Sequence, residues 1–213
     1  MGTYEKGIIG AFSGKVGPVV GATWRGKDVM RSLPRKSSKP ATLNQMLQRE
    51  KFTMVTAFLT PINPIVSRYF GSNTEVKTRR NQAMSYTMKE AVTYVAPNFE
   101  WEYNRVLISR GSLLGLNNGT ANAGAGQSIT ITWTNNSGIG DAEATDQLVM
   151  AIYEPSSKTT IFSLNAGTRT LGTGTLTLPT FLSGLKVHVW ATFASMDEKK
   201  YATSEYLGLV LVS

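Results

Sequence analysis

Over the last hundred or so residues, apolar side chains recur at every second position in short runs, and this period constrains the fold more than any other feature. The runs lie at about 99–109, 128–134, 147–153, 159–164, 173–178, 186–194 and 204–212. Period two places alternate side chains on opposite faces of a strand. Ile129, Ile131 and Trp133 therefore oppose Ser128, Thr130 and Thr132. Val187, Val189, Ala191 and Phe193 likewise oppose His188, Trp190 and Thr192, and Leu176 and Leu178 oppose Thr175 and Thr177. Short strands separated by Gly, Asn, Ser and Pro turns predict an antiparallel sandwich of the immunoglobulin or fibronectin type over 99–213, with Trp133 in its core. The chain has no cysteine, so no disulfide can join the sheets, and the fibronectin-like variant is the expected one.

Ahead of the strands the period changes to that of a helix. Thr42 and Gln45 form a Thr-x-x-Gln capping box just after Pro40. Leu43, Leu47, Met54 and Phe58 then share one face, opposite Gln45, Arg49, Thr53 and Thr56, until Pro61 and Pro64. A second helix is predicted from about Glu75 to Val95, carrying Met84, Met88, Ala91 and Val95 on one side and stopped by Pro97. Short connections make residues 41–98 an expected helical hairpin.

Residues 1–40 follow neither period. Gly7, Gly10, Gly14, Gly17, Gly21 and Gly26 punctuate them, and two strands are expected at about 15–24 and 27–33 around Arg25-Gly26. So little apolar mass cannot hold a fold alone, and the segment reads as a β arm that lies on something else. The expected class is thus α+β, with a glycine-rich basic arm (1–40), a helical hairpin (41–98) and a β-sandwich (99–213).

Charge divides the chain in the same direction. Residues 1–110 carry 17 Lys/Arg against 7 Asp/Glu, whereas residues 111–213 carry 5 against 7. The candidate contact residues for anions or for acidic surfaces of neighbouring copies are Lys15, Trp24, Arg25, Lys27, Arg31, Arg35, Lys36 and Lys39. Trp24 beside Arg25 offers a stacking surface for a base. Base-reading modules, however, carry several aromatics on one platform, and this segment has only Phe12 and Trp24.

Catalytic and metal chemistry find little footing. A single histidine, His188, lacks the companions that a general base or a metal ligand requires. Without Cys, and with one His, the usual nucleophilic triads cannot form. Asp141, Glu143 and Asp146 alternate in a loop but lack the helix–loop–helix context and closing Glu of a calcium hand. Glu100 and Glu102 read as an exposed strand edge, and Asp197-Glu198-Lys199-Lys200 as a solvated turn. Gly10 to Gly14 encloses three residues and is followed by Lys15-Val16, which is not a phosphate loop. No cofactor, metal or small-molecule substrate is expected. The N-terminus lacks the apolar core of a secretory signal and no run is long enough to span a bilayer, so synthesis in the cytoplasm is expected, with a particle or extracellular assembly as a final location.

The stretch Gly14-Lys-Val-Gly17-Pro-Val-Val-Gly21, followed by Trp24-Arg-Gly26 and Arg31-Ser-Leu-Pro34, closely resembles a family of bacterial proteins of unknown function. Pro40-x-Thr42-x-x-Gln45 and Arg49-x-x-Phe52 continue that resemblance, which covers about residues 7–60. The Pro-x-Thr-x-x-Gln element is also similar to one in phage-type structural proteins. The family resemblance implies no activity, catalytic residue or cofactor.

These features predict a non-enzymatic structural subunit that assembles with copies of itself into a filament, sheath or virion-like particle by exchange of its arm. The alternatives are a nucleic-acid-binding or packaging protein using the basic segment, and an adhesion or carbohydrate-binding module with Trp190 on an outer face.

Overall fold

Glycines and β-formers at the start of the chain do pair into strands. The computed structural model describes residues 2–3, 12–24, 26–35, 39–74 and 77–213. Strands β1 (Gly2–Thr3), β2 (Gly14–Val16), β3 (Val19–Trp24) and β4 (Lys27–Ser32) form an antiparallel sheet in the order β1-β4-β3-β2. The single strand expected at 15–24 is broken in two. Gly17, at φ +58°, and Pro18 make a hairpin turn between Val16 and Val19. Glycine supplies the left-handed conformation, and proline has no N–H with which to continue a ladder.

The chain divides into two compact units, residues 1–46 and 47–213. Helix α1 (Leu43–Leu59) begins at the predicted capping box: Thr42 N–H donates to Gln45 Oε1 at 3.2 Å and Gln45 N–H to Thr42 Oγ1 at 3.4 Å. Its buried residues are Val55, Phe58 and Leu59, so of the predicted apolar face only the C-terminal part is covered. Pro61 follows the helix, but Pro64 starts another, α2 (Asn63–Tyr69), where a missing N–H costs nothing in the first turn. Helix α3 (Arg79–Glu90) starts at Thr78, whose hydroxyl accepts from Asn81 N–H. The expected start at Glu75 lies outside the described residues. The expected hairpin is thus three helices, and the second predicted helix stops early. β-Branched residues in Val92–Val95 form strand β5, paired with β6 (Asn98–Trp101). The strand predicted over 99–109 accordingly ends at Trp101, and a single 3₁₀ turn follows at Tyr103–Arg105.

The remaining strands are β7 (Thr120–Gly124), β8 (Ser128–Thr132), β9 (Gln147–Glu154), β10 (Thr159–Ser163), β11 (Thr173–Thr177), β12 (Lys186–Ala194) and β13 (Glu205–Leu211). They form two antiparallel sheets, β11-β8-β7 and β10-β9-β12-β13. The four-stranded sheet is apolar on both faces. Leu148, Met150, Ile152, Val187, Val189, Ala191 and Phe193 join Ile129, Ile131 and Trp133 of the other sheet in one hydrophobic cluster. Val149, Ala151, Tyr153 and Trp190 join Phe58, Leu59, Ile65 and Val66 of the helices in a second. The helices and strands of 47–213 therefore share a core, with β9 and β12 buried from both sides. Among the described residues, no helix is long and apolar enough to cross a membrane.

Candidate functional site

In an antiparallel pair, residues directly opposite each other project to the same side. Lys15 lies opposite Val20, Val20 opposite Arg31, Ala22 opposite Val29, and Trp24 opposite Lys27. Alternation along β3 and β4 then places Lys15, Trp24, Lys27 and Arg31 on one face around Val20, Ala22 and Val29. A shallow concavity of about 550 Å³ on this sheet is lined by Ala22, Thr23, Trp24, Val29 and Arg31. Trp24 is 55% exposed there. Asp28 is the only acid among the described residues of this sheet, and its carboxylate accepts from the Thr23 hydroxyl at 3.0 Å. Of the other predicted contact residues, Arg35 and Lys39 are exposed beyond β4, while Arg25 and Lys36 lie outside the described residues. On the opposite face the sheet is held close to its neighbour segment. A Cβ on Gly21 would sit 2.2 Å from the Phe12 carbonyl oxygen.

A second concave feature lies in the unit formed by residues 47–213. The end of α1, the β5–β6 hairpin and the β9–β10 turn enclose a groove of about 570 Å³. Phe58 forms its floor, 5.0 Å between ring centroids from both Trp101 and Tyr153, and Phe99 contributes from β6. Glu50 and Lys158 stand at its rim, and neither has an ion-pair partner among the described residues. The turn carrying Lys158 is fixed by Glu154. Burial opposes that carboxylate's charge, but the Ser156 and Ser157 hydroxyls and amides outweigh it and bring its pKa down to about 2. Sequence reasoning missed this groove because 99–109 reads as one strand. The signal was the aromatic series Phe99, Trp101, Tyr103.

His188, Asp141, Asp146 and Glu198 are each engaged by neighbouring side chains. His188 stacks on Tyr103 at 3.7 Å between ring centroids, and its Nδ1 lies 2.7 Å from the Tyr206 hydroxyl. Burial lowers its pKa to about 4, so the ring is neutral at pH 7. Trp190 is covered by Phe58, Tyr103 and Tyr206, and so is not the outward-facing aromatic an adhesion surface would use. Of the acidic loop, Asp146 is buried and paired with Arg169 at 3.0 Å, while Asp141 binds Lys200 at 3.0 Å. Arg169, fully buried, also donates to Asn136 Oδ1 and to the carbonyls of Leu114 and Gly115, and lies 4.0 Å over the Phe193 ring. It ties the loops at one end of the two sheets together. Glu198 accepts from Arg68 and from the Tyr69 hydroxyl. Among the described residues no three His, Asp or Glu are grouped to hold a metal ion.

Residues 11–208 match the model of a family described as "Family of unknown function (DUF6266)". The match extends well past the glycine-rich motif and takes in most of the β-rich tail. A comparison with curated proteins finds no match.

Proposed function

The chain belongs to that family of unknown function, and we propose that it is a non-enzymatic structural subunit that self-assembles through its N-terminal sheet. One observation carries the reading: Val29 is the only buried hydrophobic side chain among the described residues of 1–46. Burying one valine contributes about 1.5–3 kcal/mol. Ordering the backbone of even a few residues costs about as much. Val16, Trp24 and Met30 stay exposed on a sheet whose outer strand, β2, is exposed along its whole length, and so does Leu33 just past β4. Exposed apolar side chains beside an open strand edge are the surface that a neighbouring chain covers. The likeness of the Pro40-to-Gln45 element to phage-type structural proteins agrees with a filament, sheath or virion-like particle.

In this reading the two sheets of the larger unit are an immunoglobulin-type sandwich of the fibronectin kind. Counting from β7, the first, second and fifth strands share one sheet and the other four make up the second, the division such domains use. The helices then form an extra layer over the larger sheet. Negative-stain microscopy and sedimentation at micromolar protein test the proposal. Assemblies are expected at low salt, with partial dissociation in high salt because the arm is cationic. Monomer under both conditions would refute it.

The shared face of Lys15, Trp24, Lys27 and Arg31 supports a second reading, nucleic-acid packaging. It predicts co-purifying nucleic acid and an affinity that falls steeply with salt. A protein-only absorbance ratio together with no gel shift at about 50 mM salt would remove it.

A further inference from the structure

The aromatic groove of the larger unit gathers polar side chains that the fold itself does not use. Elsewhere, the hydroxyls of Tyr69, Tyr201 and Tyr206 each hydrogen-bond within the fold. The hydroxyls of Tyr103 and Tyr153, which line the groove, make no hydrogen bond among the described residues. Neither do the side chains of Glu50, Asn98 and Lys158 around them. Tyr153 is 6% exposed, yet its hydroxyl is not sealed from solvent, so the part of it left open faces the groove. Burial raises both phenols above their usual range, which keeps them protonated donors at pH 7. Lys158 also donates, Glu50 accepts, and Asn98 does both.

An occupant of this groove must cover aromatic rings and pair several polar groups at once. An aromatic side chain or an acyl chain meets only the first demand, and it would desolvate the polar groups without pairing them. A flat nucleobase can lie on one wall at a time, because Trp101 and Tyr153 tilt by 47° and 80° from Phe58. A pyranose ring is thicker, with C–H groups on its faces and hydroxyls around its edge. It can touch tilted rings and reach donors and acceptors together. We infer that the groove binds a short saccharide, its C–H faces against the aromatic rings and its hydroxyls on Tyr153, Asn98 and Glu50. Lys51, over the Phe99 ring at 5.7 Å, and Lys158 outnumber Glu50, which favours a sugar bearing a carboxylate. A space of about 570 Å³ has room for more than one such ring. The inference goes beyond the assembly reading and does not depend on it.

The full-length protein is tested on an array of neutral and acidic oligosaccharides, and the strongest hits are titrated free in solution by tryptophan fluorescence, which Trp101 reports. Saturable binding is expected, strongest for chains that contain a uronic acid. Tyr153→Phe removes a hydroxyl that bonds nothing in the fold, so it should keep the unfolding midpoint while weakening binding by about three- to tenfold. Asn98→Ala and Lys158→Ala, both at exposed positions, should each weaken binding by a similar factor. Binding unchanged in all three variants would put the saccharide elsewhere and overturn the assignment. So would an array on which nothing binds above background, or a groove that takes adenosine monophosphate or N-acetyltryptophanamide but no saccharide.

Discussion

Strands β4 and β12 each have an antiparallel partner on both sides, yet they stand in opposite physical situations. Eight of the nine residues of β12 are buried, because one cluster of side chains covers its odd-numbered face and another its even-numbered face. In β4 only Val29 is buried. Backbone pairing is satisfied in both, so the contrast lies in side-chain burial, the term that dominates folding free energy. A strand can therefore be specified by local sequence without being stabilised by it. The part of the molecule that is paired but uncovered is the part expected to act on other molecules.

The sharpest way to break this comparison is to substitute within the doubly covered region. Arg169→Met would leave Asp146 buried without its partner, and about 3–5 kcal/mol of stability should be lost in urea unfolding. Trp190→Ala should cost a similar 3–5 kcal/mol through its cavity. A loss under about 1 kcal/mol for both would mean that the central sheet is not what holds the unit together.

His188 gives the next largest effect. Its folded pKa of about 4 lies below the ordinary 6.5, so between these values the unfolded chain binds more protons than the native one. The His188 contribution to stability is complete above about pH 6.5 and is lost as pH drops toward 4, by on the order of 3 kcal/mol. His188→Gln should flatten that slope. An unchanged slope would place the protonation event elsewhere.

Within the arm, Gly21→Ala sharpens the contrast because its Cβ would collide with backbone, the Phe12 carbonyl, which cannot simply rotate away. The sheet of β2, β3 and β4 should lose about 1–3 kcal/mol of local stability, read as faster amide exchange there. The unfolding midpoint of residues 47–213 should not move. Smallest of all, Trp24→Ala should change global stability by no more than about 0.5 kcal/mol, since the ring is exposed. The same substitution at two tryptophans should thus differ at least about sixfold in energy between the two regions.

Much of this architecture is visible in sequence wherever the two faces of an element differ chemically. The strands β8, β11 and β12 alternate apolar with polar or aromatic residues, and the capping box marks the start of α1. β7 escaped notice because Thr-Ala-Asn-Ala-Gly carries neither aromatics nor aliphatic β-branched residues, and is recognised only by its partner strand. α2 was hidden because Pro64 reads as a breaker, whereas proline in a first turn has no hydrogen bond to lose. The basic face was half legible. A continuous strand over 15–24 would send Lys15 and Trp24 to opposite sides, and the Gly17-Pro18 turn brings them to the same one. Arg169 left no signal, being a lone arginine in a loop whose partners come from three distant segments.

Residues 47–213 carry their own core, whereas the preceding sheet is proposed to need another chain to cover it. Deleting residues 1–40, which keeps the Thr42 cap, and comparing sedimentation and urea unfolding with the full-length protein tests this most directly. The full-length chain should assemble at low salt, and the truncated one should remain monomeric with an unfolding midpoint unchanged within error. A full-length monomer, or a truncated chain that no longer unfolds cooperatively, would contradict it.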